Sequence, residues 1–208
     1  MIKTKKLEFS YHSKTYMKFP DISLEKEEHL VIIGDSGKGK TTLLQLLSLL
    51  LTPLSGDIFI NNTAIHSLSE REKDSFRRQH IGLVFQKSNF LQSLTLLENI
   101  QAKLLFSKSK VASSTIKNIL EDLGIAEFMH QRMFALSEGQ KQRASIALAV
   151  INNPSVILAD EPTSSLDDTN SRKVINLLKA TAKKSGSNLI LVTHDKRIVP
   201  EFSKLIEL

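Results

Sequence analysis

The sequence predicts an α/β domain built on a mostly parallel β-sheet. Short apolar runs that suit buried strands occur at residues 29–33, 81–85, 155–159 and 188–192. Helical segments separate these runs, a pattern typical of a parallel sheet covered on both faces. The length of 208 residues suits one such domain and is short for two.

Two further groups of segments complete the predicted domain. Residues 2–9 and 16–24 resemble antiparallel strands added at one edge, and 204–208 resemble a final short strand. A Leu-rich helix is expected over 40–51, after the first buried strand.

Strand signals disappear between about residues 87 and 140. Helical apolar spacing instead marks residues 95–106, residues 112–123 and the segment that opens at Glu138. We therefore expect a single domain over 1–208, with a core of about 1–86 and 153–208 and a helical subdomain of about 87–152.

Composition excludes several classes of protein. The absence of cysteine excludes disulfides and thiolate metal sites. The net charge is +6, but the lysines are scattered, so no nucleic-acid partner is expected. The longest apolar-rich stretch, 43–51, is far below the roughly 18–20 residues that span a bilayer. If the chain serves transport, the pore must belong to another polypeptide.

A glycine-rich loop follows the first buried strand. Residues 34–41 match the pattern G-x-x-x-x-G-K-[ST], between a predicted strand and a predicted helix. Such a loop points backbone N–H groups at phosphate oxygens, and the helix N-terminus adds its positive dipole end. Lys40 would place a cation on the β- and γ-phosphates, and Thr41 could ligate Mg²⁺. The expected nucleotide contacts here are Gly34, Ser36, Gly37, Lys38, Gly39, Lys40, Thr41 and Thr42.

Two adjacent carboxylates, Asp160 and Glu161, directly follow the apolar run 155–159. Charges beside a buried strand are unfavourable unless they are engaged. Asp160 would hold Mg²⁺, directly or through water, and Glu161 would orient and deprotonate an attacking water. Alone, the pair could equally be a helix N-cap, but with the phosphate loop it indicates a P-loop NTPase.

The stretch Leu136–Arg143 (LSEGQKQR) resembles the signature of the ATP-binding subunits of ABC transporters, usually Leu-Ser-Gly-Gly-Gln. It lies just before the acidic pair, as in that family, and the resemblance covers nearly the whole chain. The segment Leu68–Gln86 is similar to the branch that serves lipoprotein-release and macrolide-export permeases.

The resemblance implies roles for residues that alone would be unremarkable. Tyr11 would stack on adenine, although it could be an ordinary aromatic at a strand end. Gln86 would be the Q-loop glutamine, contributing to catalysis and to the metal, or a plain loop amide. Asp167 would belong to the D-loop that contacts nucleotide. His194 would be the catalytic switch histidine, or a satisfied histidine at a strand end.

The signature also implies a second copy of the chain. Ser137, Gly139 and Gln140 would contact nucleotide from the start of a helix, where anions bind well, or would form a simple cap. They belong to the helical subdomain, so one chain cannot readily close them and the Lys40 loop upon one ATP. The family's arrangement is a head-to-tail pair, which implies a homodimer or a heterodimer with a similar subunit.

These features together imply an ATPase that uses ATP and Mg²⁺ to drive an integral membrane permease. The chain would then lie at the cytoplasmic face of the membrane, held there by the permease. Phe90, Leu91 and Leu94 follow Gln86 and either form the docking surface or pack the helical subdomain. The chain ends where many relatives continue, so no C-terminal regulatory domain is expected.

Three positions depart from the family pattern. Lys38 stands where a small residue is usual, and its charge either assists ATP or faces solvent. Glu138 replaces a signature glycine, and we expect it to point away from the γ-phosphate, which would repel it. Leu148 stands where the family often has arginine, which could weaken a contact of the subunit or of the helical subdomain.

Other functions remain open at this point. A non-transport ABC ATPase acting on DNA or ribosomes is supported only by the positive charge, and its usual insertions do not fit in 208 residues. The signature and His194 argue against a P-loop kinase or GTPase. The chain could also be a regulatory subunit whose ATP drives assembly without being hydrolysed. The presence of both Glu161 and His194 argues against this, since both would serve hydrolysis.

Overall fold

The computed structural model describes residues 1–11, 16–86, 89–164 and 168–208. The strands are β1 (Ile2–Ser10), β2 (Tyr16–Lys18), β3 (Ser23–Leu24), β4 (His29–Ile33), β5 (Ser55–Ile60), β6 (Thr63–Ala64), β7 (Ile81–Val84), β8 (Val156–Asp160), β9 (Asn188–Thr193) and β10 (Lys204–Glu207). The α-helices are α1 (Lys40–Leu47), α2 (Glu70–His80), α3 (Leu96–Ser107), α4 (Ser113–Asp122), α5 (Glu138–Val150) and α6 (Asp168–Ser185).

A five-stranded parallel sheet forms the centre of the domain, in the order β10-β4-β9-β8-β7. The four buried strands predicted from apolar runs are confirmed to within one residue at each end. The final strand β10 pairs parallel with β4, so it closes one edge of this sheet. Since all five strands run the same way, the segments after β4, β7, β8 and β9 leave the sheet at a common edge.

Alternating side chains of the parallel sheet enter two separate cores. Val31 and Ile33 of β4 pack with α3, α4, α5 and α6 in one hydrophobic cluster. Leu30 and Ile32 pack with α1 and the N-terminal strands in the other. This alternation follows from the period of two in a strand. As a result α1 and α5 cover opposite faces of the same sheet.

The N-terminal strands are antiparallel, as predicted, but they do not extend the edge of the parallel sheet. They form a second five-stranded sheet in the order β2-β1-β5-β6, with β3 also paired to β1. The second sheet is separate because β1 pairs with β5 and not with a strand of the parallel sheet. β5 runs antiparallel to β1, with Ile2 opposite Ile60. Buried residues of this sheet pack over α1, which leaves α1 enclosed between two sheets.

The helices mostly begin and end where apolar spacing places them. α3, α4 and α5 start within one residue of the predicted positions. α1 instead ends at Leu47 rather than residue 51, because Ser48 caps it and Leu49 turns to a positive φ of 59°. Within the described ranges, no helix has the length and apolar character needed to cross a bilayer.

Candidate functional site

The phosphate loop leaves β4 and enters α1 through two left-handed glycines. Gly37 has φ 83° and Gly39 has φ 93°, a region that side-chain-bearing residues rarely occupy. Gly39 caps α1 without any side-chain hydrogen bond, so the first N–H groups of the helix are not satisfied by a cap. A Cβ at Gly37 would meet nothing within 4 Å, which leaves the concave loop open to a ligand. This is the geometry of an anion cradle.

Lys40 is almost completely buried, and its ammonium is turned back onto the loop. Its Nζ donates to the carbonyl oxygens of Gly34 at 2.7 Å and Asp35 at 3.0 Å. These two acceptors hold the cation inside the loop, and no ion pair joins it to a carboxylate among the residues that the structure describes. Phosphate oxygens entering the loop would be stronger acceptors for the same ammonium, because they are charged.

Tyr11 lies beside the first turns of α1. Its hydroxyl is 3.0 Å from Thr42 Oγ1 and donates to Gln45 Oε1 at 3.3 Å. Phe9 meets the Tyr11 ring edge-on, with ring centroids 4.8 Å apart. About half of the Tyr11 side chain remains exposed, so an aromatic surface is available at the entrance to the phosphate loop.

Asp160 ends β8 with an unsatisfied carboxylate oxygen. Its Oδ1 is buried and has no hydrogen-bond partner among the described residues. Burial raises the pKa of Asp160, and Glu161 acts in the same direction, whereas a hydrogen bond from Thr41 and the charge of Lys40 oppose the rise. A buried, partnerless carboxylate oxygen next to a hydroxyl fits a bound cation.

The donor set around Asp160 favours magnesium over a transition metal. In the described part of the chain, no group of three His, Cys, Asp or Glu side chains is placed to hold a metal. A cation here would therefore depend on Asp160, the Thr41 hydroxyl, water and phosphate oxygens, which is a set that Mg²⁺ accepts. The residues present fit Mg²⁺.

Glu161 is held by the end of the neighbouring strand β9. Thr193 Oγ1 donates to Glu161 Oε2 at 3.0 Å, and His194 Nδ1 lies 2.9 Å from Oε1. The Glu161 backbone has a positive φ of 47°, and its N–H donates to Val192 O at 2.8 Å. The carboxylate is therefore fixed at both oxygens, beside a histidine that is largely exposed.

Gln86 follows β7 and reaches the loop after β8. Its Nε2 donates to Ser164 Oγ at 3.0 Å. No hydrogen bond joins the Gln86 side chain to Thr41 or Asp160 in the described structure, so its metal role stays a prediction. The adjacent Thr163 has a buried Oγ1 without a partner among the described residues.

The signature turn begins α5 with a reciprocal capping box. Ser137 Oγ accepts from Gln140 N at 3.3 Å, and Gln140 Oε1 accepts from Ser137 N at 2.8 Å. The Gln140 side chain is thus engaged within the turn. Gly139 has open space around it, since an added Cβ would meet nothing within 4 Å. Glu138 is exposed and pairs with Lys141.

The structure brings together only part of the predicted site. The phosphate loop, Tyr11, Asp160, Glu161 and His194 all meet around the carboxyl edge of β4, β8 and β9. The signature turn belongs to α5, on the other face of the sheet. Asp167 lies outside the described residues.

Two residues that sequence reasoning did not select also contact the site. Thr193 donates to Glu161, and Ser164 accepts from Gln86. Their only signal in the sequence is position: Thr193 directly precedes His194, and Ser164 follows the acidic pair by a few residues.

Comparisons with known proteins agree with this site. A family model described as "ABC transporter" matches residues 18–164. The chain is 36% identical to the lipoprotein-releasing system ATP-binding protein LolD of Legionella pneumophila (strain Lens), over 100% of this chain and 94% of that protein. It is 40% identical to the ABC transporter ATP-binding protein YxdL of Bacillus subtilis (strain 168), over 93% of this chain and 75% of that protein.

Solved structures show the same fold. The dimeric structure of MJ0796, a bacterial ABC transporter cassette, has a TM-score of 0.86 and 32% identity, covering 100% of this chain and 94% of that one. A second dimeric structure of MJ0796, in a post-hydrolysis state bound to ADP and Pi, has a TM-score of 0.85 and 33% identity. The family match, the full-length relatives and the phosphate loop agree, and we conclude that the chain belongs to the ABC transporter family as an ATP-binding and ATP-hydrolysing subunit.

Proposed function

We propose that two copies of this chain, arranged head to tail, enclose ATP between the Lys40 loop of one copy and the Ser137 turn of the other. The observation that carries this proposal is the placement of α1 and α5 on opposite faces of one sheet. One copy therefore cannot close both elements upon a single nucleotide. A two-fold axis would create two equivalent composite sites. A heterodimer with a similar subunit would satisfy the same geometry.

Within each composite site, Glu161 would act as the general base. It accepts a proton from water while the water oxygen attacks the γ-phosphorus, and the bond to the bridging oxygen of ADP breaks. Thr193 and His194 hold the carboxylate at both oxygens, so the base is oriented before ATP arrives. His194, which is largely exposed, would also reach the γ-phosphate once the dimer closes.

The other residues of the site would position and neutralise the nucleotide. Lys40 and the N–H groups of the loop would bind the β- and γ-phosphates, and Tyr11 would stack on adenine. Mg²⁺ would be held by Thr41 and Asp160, with Gln86 near it, and when bound would neutralise phosphate charge. Ser137 and Gly139 from the second copy would complete the γ-phosphate contacts, with Asp167 also at the nucleotide.

A groove beside Gln86 would receive the permease. It has a volume of about 390 Å³ and separates the end of β7 from α3 and α5. Phe106 and Leu91 are exposed on its rim, whereas Phe90 packs against the hydrophobic core. Leu91 and Phe106 are therefore better docking candidates than Phe90. Leu94, whose N–H donates to Leu91 O at 3.0 Å, is partly buried and does not line the groove.

Docking in this groove would place the chain peripherally at the cytoplasmic face of the membrane. Residues 87–152 would act as the helical subdomain that transmits dimer closure from Gln86 to the permease. A cross-linking map of the assembled transporter tests the docking surface. Cross-links from the permease to positions 91 and 106 are expected, and their absence there would remove this surface from the proposal.

The composite site is tested by mixing two inactive variants. Lys40→Ala disables the phosphate loop, and Ser137→Arg blocks the signature turn. Each homodimer then has two defective sites. In a mixed dimer, one site combines two damaged elements and the other combines two intact ones. With random pairing, about a quarter of the sites in the mixture are intact.

Phosphate release is the measurement, with the parent and each single variant as controls. Each variant alone should be inactive, and the mixture should recover turnover towards that quarter. A mixture no more active than its components would contradict the head-to-tail arrangement. Full turnover of the Ser137→Arg variant alone would contradict it as well, because the signature turn would then be dispensable.

A further inference from the structure

The two surfaces that meet in the proposed dimer each carry one unusual charge. Lys38 stands in the phosphate loop and Glu138 in the signature turn, at positions where the family resemblance leads us to expect a small uncharged residue. The charges are opposite in sign. Both residues are exposed, so each side chain can reach a second copy.

Lys38 projects from the exposed side of the phosphate loop. Its side chain makes no hydrogen bond or ion pair among the described residues, unlike the buried Lys40. The neighbouring Gly37 has open space where a side chain would be. A long cationic side chain is therefore presented to whatever closes over the loop, and nothing in the described chain neutralises it.

Glu138 is the first residue of α5, and its side chain is 85% exposed. Its carboxylate lies 2.9 Å from Lys141 Nζ, one helical turn away. Exposed pairs of this kind hold the side chain weakly, so the carboxylate is available to another cation. Gly139 beside it leaves open space, as Gly37 does in the loop.

A carboxylate in the signature turn raises an electrostatic difficulty for the sandwich. The turn must approach the triphosphate of ATP, and two like charges brought together in a partly dry interface repel each other. A favourable interaction of Glu138 with the α5 dipole explains a carboxylate at a helix start, but it does not remove this repulsion. A lysine placed between the carboxylate and the phosphates would remove the repulsion.

We infer that Lys38 of each copy forms an ion pair with the partner's Glu138 when the ATP-bound dimer closes. The inference rests on the proposed head-to-tail dimer and adds a self-recognition device to it. Two-fold symmetry produces the pair twice in each dimer. The matched charges would favour a second copy of this chain over related cassettes that carry uncharged residues at both positions.

Charge reversal tests the pair, in a Glu161→Gln background that stops turnover. The Lys38→Glu homodimer has two carboxylates facing each other at both sites, and the Glu138→Lys homodimer has two ammonium groups at both sites. Each variant should weaken ATP-dependent dimerisation by about tenfold or more. The double variant Lys38→Glu with Glu138→Lys restores opposite charges at both sites and should dimerise at least about threefold more tightly than either single variant. It should stay weaker than the parent, because the carboxylate in its phosphate loop repels the nucleotide.

Mixing the two single variants is the sharper measurement. In the mixed dimer, each site again contains one lysine and one glutamate, because the reversed residues face each other at one site and the native ones at the other. Differently tagged copies should therefore form heterodimers in preference to both homodimers. As a matched control, Glu121→Lys changes an exposed glutamate on α4. In a mixed dimer of Glu121→Lys with Lys38→Glu, one site still holds two facing carboxylates. This mixture should therefore recover less dimerisation than the mixture of the two charge-reversed variants.

The outcomes separate this pair from the proposed function itself. Single variants that dimerise like the parent, or a mixture no better than its components, would overturn the ion pair while leaving the sandwich dimer intact. Loss of nucleotide affinity in monomeric Lys38→Glu without coupling to position 138 would overturn it too, by assigning Lys38 to phosphate alone. A Glu161→Gln parent that stays monomeric with Mg-ATP would overturn the proposed dimer and this pair with it.

Discussion

Replacing Thr193 by valine should slow ATP hydrolysis without weakening ATP binding. Thr193 is fully buried, and its hydroxyl donates to Glu161 Oε2 at 3.0 Å. A hydrogen bond to a charged group contributes about 1.5–3 kcal/mol, which corresponds to about 10- to 150-fold in rate if it is needed in the transition state. Valine keeps the shape of the side chain but removes the donor, so kcat should fall by about that factor.

The assay compares kcat with KM for ATP in parent, Thr193→Val and Thr193→Ser. KM should change by less than about threefold, because Thr193 touches the base and not the phosphate loop. Serine retains the hydroxyl and should stay within about threefold of the parent in kcat. Thr193 Oγ1 also accepts from Asp195 N at 3.0 Å, so thermal unfolding must show that the valine variant is folded. An unchanged kcat, or a loss that serine does not rescue, would refute the positioning role.

Three further predictions concern the groove, the loop and the aromatic contact. Burial lowers the pKa of Lys103 to about 8, so below that pH the folded state must hold a charged, buried ammonium. Lys103→Met should therefore stabilise the chain by about 1–3 kcal/mol at pH 7, and the gain should vanish towards pH 10, where the folded parent no longer carries that charge. Urea unfolding at both pH values decides this, and an equal gain at both would contradict it. Gly34→Ala should destabilise by about 1–3 kcal/mol, since its Cβ would lie 2.7 Å from Leu208 O; an unchanged melting temperature would contradict the clash. Tyr11→Phe should keep ATP affinity within about threefold and Tyr11→Ala should lose about tenfold, because the ring and not the hydroxyl binds adenine; equal losses in a nucleotide titration would reverse that assignment.

Much of the parallel sheet could be predicted because its strands are buried on both sides. The runs 29–33, 155–159 and 188–192 are almost wholly apolar, and burial alone explains that composition. The phosphate loop was equally visible, because its chemistry depends on residue types at fixed spacing.

Strands β5 and β6 of the second sheet and helix α2 could not be predicted in the same way, whereas the N-terminal strands of that sheet were predicted. β5 contains Gly56 and Asp57 and becomes a strand only by pairing with β1, where a bulge between Lys5 and Glu8 shifts the register. α2 buries none of its residues, so it carries no apolar stripe, although its capping box is present in the sequence. α6 is different, because Ile175, Leu178 and Ala182 are buried at helical spacing, so this helix is predictable from the sequence.

Contacts within the site were the least accessible to sequence reasoning. Thr193 meets Glu161, and Ser164 meets Gln86, only because parallel strands bring distant segments to one edge. Their residue types are common, and no spacing rule distinguishes them. The family resemblance led us to expect α1 and α5 to be apart, but the face of the sheet that each helix covers is seen only in the structure.

The central claim is that ATP joins two copies of the chain. The most direct test is light scattering of the Glu161→Gln variant during size-exclusion chromatography, with and without Mg-ATP. The account predicts the monomer mass of 23.3 kDa without nucleotide and twice that mass with Mg-ATP. Lys40→Ala added to the same background should abolish the shift. A Glu161→Gln variant that keeps the monomer mass at saturating Mg-ATP, with its permease also present, would contradict the account.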